Sequence, residues 1–167
     1  MNGNFVLVLH SHLPYVLQHG RWPHGSDWLC EVAVGAYLPI LDMLEQLIAE
    51  GVSPNITLNI TPILLEQLAS PLFKAELDDY LSNRIETCRD NEHDFTSRGQ
   101  VDLARAAQYW SKRLDRVREI WNTLDKDIVG AFGRLSDAGH LEIITSAATH
   151  AYLPLLSRDA SIRLQFR

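Results

Sequence analysis

Three strand-like segments alternate with long amphipathic segments along the 167 residues. Residues 5–9 form a continuous apolar run, and residues 55–60 and 141–145 are rich in apolar and β-branched side chains. Such segments, separated by helical patterns, predict parallel strands joined by helical crossovers, which is an α/β fold. Because three parallel strands would leave both outer strands unpaired, we expect part of a larger barrel with long helical insertions.

Apolar residues spaced by three and four positions predict the helices. In residues 31–49 this pattern ends before Gly51, which is placed to cap the helix, and Pro39 is expected to interrupt or bend it. The polar residues 89–99 are predicted to form a surface loop. Two further helices are predicted from their start signals, Thr61-Pro62 and Ser70-Pro71. Three more are predicted from apolar stripes in residues 103–124, in residues 128–135 and from residue 157 onward.

Charge and cysteine content narrow the class of partner and the compartment. The net charge of -6 and the absence of any Lys/Arg run argue against a nucleic-acid surface and favour an uncharged partner. No apolar run approaches the ~20 residues that a membrane-spanning helix needs, so we expect no membrane partner. Cys30 and Cys88 match no metal spacing, no secretory signal precedes them, and we expect a cytoplasmic protein with buried thiols.

Histidines follow two of the predicted strands. His10 and His12 come after the first strand and His150 after the third. The carboxyl ends of parallel strands meet at one rim, where neutral imidazoles can bind hydroxyl groups, so these histidines are candidates for a binding site. We expect one of His10 and His12 to face the barrel mouth and the other to support it. Two alternatives stay open: local hydrogen bonds to the backbone, or a metal site completed by His150 or a carboxylate such as Asp27.

Tryptophans and carboxylates supply further candidates. Trp22 and Trp28 lie in a polar loop beside the first histidines, where their rings either fold back onto the protein or serve as platforms for a sugar ring. Glu66 and Glu142 are the carboxylates closest to strand ends, but neither is a convincing nucleophile. Glu66 is expected to be solvated, and for Glu142 a buried, hydrogen-bonded supporting role and a catalytic role stay equally open. Trp110 and Trp121 lie on or beside helical apolar stripes and are expected to pack in the core.

Phosphate-binding and serine-hydrolase motifs are absent from the sequence. There is no Gly-rich phosphate loop and no Gly-x-Ser-x-Gly segment. Hydroxyl-rich molecules are therefore the natural class of substrate.

Five blocks of the sequence match a known pattern: His10-Ser11-His12-Leu13-Pro14-Tyr15, Gly20-Arg21-Trp22-Pro23, Asp27-Trp28-Leu29, Thr61-Pro62-Ile63-Leu64-Leu65-Glu66-Gln67-Leu68 and the run from Gly139 to Leu156. These blocks resemble glycoside hydrolase family 57, in particular its 1,4-α-glucan branching enzymes. The resemblance extends over essentially all 167 residues.

The resemblance implies a seven-stranded (β/α)7 barrel of which residues 1–167 are the N-terminal portion, incomplete at the C-terminus. It also implies a retaining double displacement, with a Glu nucleophile and an Asp acid/base, that transfers α-1,4 glucan chains to a 6-hydroxyl without a cofactor. The family's nucleophile motif, Trp-Leu-Pro-Glu-Cys-like, and its Asp motif do not occur here and are expected beyond Arg167. The isolated chain is therefore expected to be inactive, with no catalytic residue assigned in it.

What does carry over is a set of α-glucan-binding residues: His10, His12 and His150, with Trp22 and Trp28 as sugar platforms. Other activities stay open. They are an amylase or 4-α-glucanotransferase of the same family, a zinc-dependent mannosidase or polysaccharide deacetylase with His10 and His12 as ligands, and a non-catalytic glucan-binding module.

Overall fold

The computed structural model describes residues 3–166, in which a parallel three-stranded sheet is joined by helical crossovers. The strands are β1 (Val8–Ser11), β2 (Ile56–Ile60) and β3 (Leu141–Ile144), in the order β1-β2-β3. The second and third strands agree with the predicted segments to within one residue at each end. The α/β class is confirmed, and both outer strands have a free edge within the described residues.

The first strand begins later than the apolar run predicts. Phe5 and Val6 lie outside it with 88% and 71% of their surface exposed, whereas His10 lies inside it. A strand is defined by pairing with its neighbour, and here His10 pairs with Asn59 and Ser11 with Ile60. Because hydrophobicity alone does not determine that register, the prediction of residues 5–9 was wrong by three residues at its start and two at its end.

The first helical segment begins before residue 31 and has a change of winding in its middle. Helix α1 (Ser26–Val32) continues through π-helical residues Ala33–Tyr37 into α2 (Leu38–Ala49). Pro39 has no N–H to donate within this continuous helix, and the π-helical turn directly before α2 takes the place of the predicted break. Gly51 follows α2 with a φ of +81°, as expected of a capping glycine.

This continuous segment, Ser26–Ala49, is long and apolar enough to cross a membrane by length and composition, with a mean hydropathy of 1.4. The sequence-based statement that no apolar run approaches this length was therefore too strong. In the fold the segment supplies core residues, since Leu29, Leu38 and Leu41 are fully buried. The core helix of a soluble protein and a signal sequence near the N-terminus meet the same criterion as a membrane span.

Two long helices form a hairpin in the crossover between β2 and β3. Helix α4 (Pro71–Ser97) includes residues 89–97, which were predicted to be a loop. These polar residues remain helical because one face packs on the partner helix, where Arg89 binds Asp115 at 3.0 Å. The remaining helices are α3 (Pro62–Ala69), α4 (Pro71–Ser97), α5 (Val101–Thr123), α6 (Ile128–Asp137) and α7 (Asp159–Leu164).

The core lies between the sheet and the helices. Trp121 is fully buried, and its indole N–H donates to Asp78 Oδ1 at 2.9 Å. Trp110, which was also expected in the core, is 52% exposed. The buried stripe of α5 runs through Ala107, Ser111 and Leu114, and Trp110 lies beside it.

Both cysteines are free thiols. Burial raises the pKa of the Cys30 thiol to about 12, and the neighbouring Glu76 and Asp27 add to the increase. Cys30 is buried as expected, but Cys88 is only half-buried.

Candidate functional site

Three histidines meet at the carboxyl rim of the sheet. His10 lies in β1, His12 follows it, and His150 lies in the loop after β3. The Nε2 atoms of His10 and His150 are 3.1 Å apart, and the ring of His12 stacks on that of His150 with centroids separated by 4.2 Å. These three residues, termed the histidine cluster, come together because parallel strands end at the same rim.

Both His10 and His12 are on the side of His150, rather than one at the mouth and one in support. Residues two apart on an extended chain share a face, so the strand brings both rings to the same neighbour. Their assignment to substrate binding stays a prediction.

Polar side chains from β2 and its following turn hold the cluster in place. Asn59 Oδ1 lies 2.6 Å from His10 Nδ1, and Thr61 Oγ1 lies 3.1 Å from His12 Nδ1. Thr61 was expected to cap α3 with its hydroxyl, but it makes no such bond and contacts His12 instead. Sequence reasoning missed both partners, although Thr57, Asn59 and Thr61 alternate with apolar residues, which is the signal of one polar face.

The environment of His12 favours its neutral imidazole. Burial lowers the pKa of His12, and the nearby His150 and His10 lower it further, since a second positive charge would be repelled. Within residues 3–166 no carboxylate forms an ion pair with these rings. Neutral imidazoles can both donate and accept hydrogen bonds, as binding of sugar hydroxyls requires.

A buried glutamine fixes the loop that follows His12. Gln67, on α3, accepts a hydrogen bond from Val16 N at 2.7 Å and donates to the carbonyl oxygen of Pro14 at 3.1 Å. No sequence pattern distinguishes Gln67 from its neighbour Glu66, which is exposed as expected. The loop after β1 is therefore anchored by a side chain from the element that follows β2.

Glu142 is in register with Thr57 and Val8, two residues before the register position of His10 along the strands. Its Oε2 accepts from Thr57 Oγ1 at 2.5 Å, and Thr57 pairs with Val8 on the other side. The hydrogen bond agrees with the supporting role, but Glu142 is exposed rather than buried. The sheet face that would bury it has no covering layer among the described residues.

The two loop tryptophans are not brought into the cluster. Trp22 is 80% exposed, and Trp28, which is 37% exposed, packs edge-on against His24 at 5.9 Å. Neither ring contacts the three histidines. An ion pair between Arg21 and Asp27 at 3.1 Å ties this loop together.

The histidine cluster lies between two open hollows. One, of about 330 Å³, is lined by His10, His12 and Tyr37 among others. The other, of about 310 Å³, is lined by His150 and Tyr152. Over residues 3–166 no group of three or more His, Cys, Asp or Glu side chains is arranged to hold a metal ion.

A parallel α/β sheet with a polar cluster at its carboxyl rim is the architecture of many α/β enzymes. Comparison with known families narrows this class. Residues 6–167 match the family described as Glycosyl hydrolase family 57. The chain belongs to that family, as the sequence blocks predicted.

The curated relatives are much longer than this chain. A 1,4-alpha-glucan branching enzyme of Thermococcus kodakarensis is 40% identical over 165 residues, which cover 99% of this chain and 24% of that protein. A probable 1,4-alpha-glucan branching enzyme of Mycobacterium tuberculosis is 32% identical, with 99% of this chain and 36% of that protein covered. The chain thus spans between about a quarter and about a third of these relatives.

Solved structures share the fold. The branching enzyme of Pyrococcus horikoshii gives a TM-score of 0.91 at 38% identity, covering 96% of this chain and 30% of that chain. The Thermococcus kodakarensis enzyme, solved with glucose, gives 0.89 at 39% identity, with 96% and 28% covered. The alpha-amylase AmyC of Thermotoga maritima gives 0.87 at 26% identity, with 99% and 32% covered.

Proposed function

We propose that residues 1–167 are the N-terminal portion of the catalytic (β/α)7 barrel of a retaining glucan branching enzyme. The complete enzyme would move α-1,4 glucan segments of amylose-like or glycogen-like chains to 6-hydroxyl groups. The identity of 38% and 39% to two branching-enzyme structures, compared with 26% to the alpha-amylase, supports this activity over the others. We further propose that it acts in the cytoplasm and needs no cofactor.

The free edges of the sheet support the barrel. Val8 in β1 and Ile144 in β3 are apolar, yet 51% and 40% of their surfaces are exposed. Both lie in edge strands, whose outer backbone groups seek a partner. Further strands of a barrel would pair with these edges and cover the exposed apolar side chains.

The histidine cluster is the observation that carries the proposal. His10, His12 and His150 come from two strand ends, meet within hydrogen-bond or stacking distance, and face no carboxylate partner in the described residues. Such rings would hold the hydroxyls of one sugar in the subsite next to the scissile bond, where fixed orientation lowers the barrier. Trp22 and Trp28 would stack on sugar rings further along the bound glucan.

The bond-breaking groups are expected elsewhere in the protein. A Glu nucleophile and an Asp acid/base would be supplied by other strands, as the family resemblance implies. The 167-residue chain alone is therefore proposed to bind glucan without branching it.

The test uses the complete protein that carries this chain, incubated with amylose. Debranching followed by chain-length analysis should reveal new α-1,6 branches in the wild type. Replacing His150 by Ala should lower branch formation by about 10²-fold or more, since positioning is lost. The matched control is His93→Ala, an exposed histidine on α4, which should leave the rate unchanged.

The outcomes separate the proposal from its competitors. New reducing ends without branches would favour an amylase, as the likeness to AmyC suggests, and rearranged linear chains a 4-α-glucanotransferase. Glucan binding without any product would indicate a non-catalytic module. Branching that His150→Ala leaves intact would show that the cluster is not the subsite.

A further inference from the structure

Asn59 occupies a position in which one side chain can set the protonation pattern of the cluster. It lies on β2, directly opposite His10 of β1 and beside Ile144 of β3. Its Oδ1 is 2.6 Å from His10 Nδ1, the shortest contact that any ring of the cluster makes. This is a register pair, so the contact is imposed by the sheet rather than by a mobile loop.

The hydrogen-bond rules then fix two tautomers in sequence. An amide oxygen only accepts, so the proton of neutral His10 lies on Nδ1 and its Nε2 is left with a lone pair. That Nε2 is 3.1 Å from His150 Nε2, and the shared contact needs one proton. His150 must therefore donate from Nε2, which leaves its Nδ1 as an acceptor.

We propose that Asn59 is a positioning residue that holds His10 as the Nδ1–H tautomer and, through His10, holds His150 as the Nε2–H tautomer. The proposal rests on the proposed function for its consequence: His150 would offer a substrate hydroxyl an acceptor at Nδ1. Free histidine prefers the Nε2–H tautomer, so His10 is held in the form that is less favoured in water. Which nitrogen carries the proton is set by the partner of the other one.

The rest of the cluster leaves room for this arrangement. No other hydrogen bond to the rings of His10 or His150 is formed by the side chains of residues 3–166. His12 contacts His150 by stacking, at an angle of 30°, and its Nδ1 faces Thr61 instead. Within residues 3–166, Asn59 is therefore the one side chain outside the pair that forms a hydrogen bond with either His10 or His150.

The test measures the tautomers directly in the complete protein that carries this chain. The protein is labelled with ¹⁵N, and long-range proton–nitrogen correlation spectra are recorded at pH 8. In the wild type, His10 should show a protonated Nδ1 and His150 a protonated Nε2. In Asn59→Leu the acceptor is gone, so His10 should shift toward the Nε2–H tautomer. The tautomer of His150 should change as a result. Asn59→Asp keeps an acceptor and should keep the Nδ1–H form.

The exposed His93 provides an internal control, since its signals should be the same in every variant. A wild type in which His10 carries its proton on Nε2 would overturn the proposal, and this measurement does not depend on any variant folding. Unchanged His10 and His150 tautomers in a folded Asn59→Leu protein would overturn it as well.

A second arm separates this inference from the proposed function. Maltoheptaose is titrated into wild type and Asn59→Leu while the imidazole signals are followed. We expect the dissociation constant to rise by about tenfold in Asn59→Leu, because the hydrogen-bonding character of His150 is scrambled. An unchanged dissociation constant after a tautomer shift would refute the positioning role. No response of the wild type to maltoheptaose would instead contradict the proposed function, while the tautomer spectra still decide the inference.

Discussion

The rim of the sheet and the hairpin of α4 and α5 are both rich in polar side chains, but these side chains do different work. At the rim, His10 and Asn59 are 49 residues apart in sequence and are joined by strand register. On the hairpin, Arg89 and Asp115 form an ion pair of which 59% and 31% of the side chains remain in water. The polar content of a region is therefore a poor indicator of a functional site. The number of strands and helices whose polar side chains meet there is a better one.

The largest effect is expected at the base of the hairpin. Trp121→Ala removes a fully buried ring that donates to Asp78 and packs edge-on against Phe73, and it should lower the free energy of unfolding by about 3–5 kcal/mol. Trp110→Ala, on the same helix, should change it by less than about 0.5 kcal/mol. Urea denaturation measures both. Equal losses would mean that burial does not distinguish the two tryptophans.

Next in size is the anchor behind the rim. Gln67→Leu leaves the buried N–H of Val16 without its partner, and we expect a loss of about 1–3 kcal/mol in urea denaturation. The neighbouring Glu66→Gln, at an exposed position, should be neutral. If both variants were neutral, the loop after β1 would not depend on this glutamine.

A smaller effect is expected in the layer beside the histidines. Thr57→Val removes the hydroxyl that donates to Glu142, and it should cost about 1 kcal/mol of unfolding free energy. Thr57→Ser retains the hydroxyl as a control. A Thr57→Val protein as stable as the Thr57→Ser protein would argue that this hydrogen bond contributes nothing net.

The smallest effect concerns pH. Because the pKa of His12 is lowered by folding, the unfolded chain binds its proton first as the pH falls below about 6.5. This contribution to stability is complete above that pH and is lost as the pH falls toward the folded pKa. His12→Asn should therefore flatten the decline in unfolding free energy between pH 7 and 5, as measured by denaturation at each pH.

The exposed His93→Asn serves as the reference, and its slope should match the wild type. Should the His12→Asn slope match as well, the burial of His12 would have no bearing on proton binding.

Much of the fold followed from sequence pattern, and the exceptions have identifiable causes. The α5 and α6 helices carry strong apolar periodicity and were predicted nearly to their ends. Residues 89–97, the last nine of α4, have no such periodicity because they pack along one narrow face, and their polarity predicted a loop. β1 was misplaced because its ends depend on pairing with β2, which local hydrophobicity does not encode.

The candidate site divides in the same way. That His150 would lie near a histidine of the first strand end followed from the parallel direction of the strands, which end at one rim, whereas the contact of both His10 and His12 with His150 was not predicted. That Asn59 would face His10 required the register, which is a relation between two strands. The fate of Trp110 required knowledge of which stripe of α5 is covered, and that depends on the neighbouring helices.

The crossovers between the strands have a consequence for the order of folding. The α4–α5 hairpin joins neighbouring helices through a turn of a few residues and can form early. The parallel pairs β1·β2 and β2·β3 require the closure of loops of dozens of residues, and this entropic cost comes before any pairing energy is gained. We therefore expect the imidazole rings to come together late, after most of the helical surface has been built, so that hydrogen-exchange protection of Leu9 and Leu58 develops after that of Leu81 and Leu114.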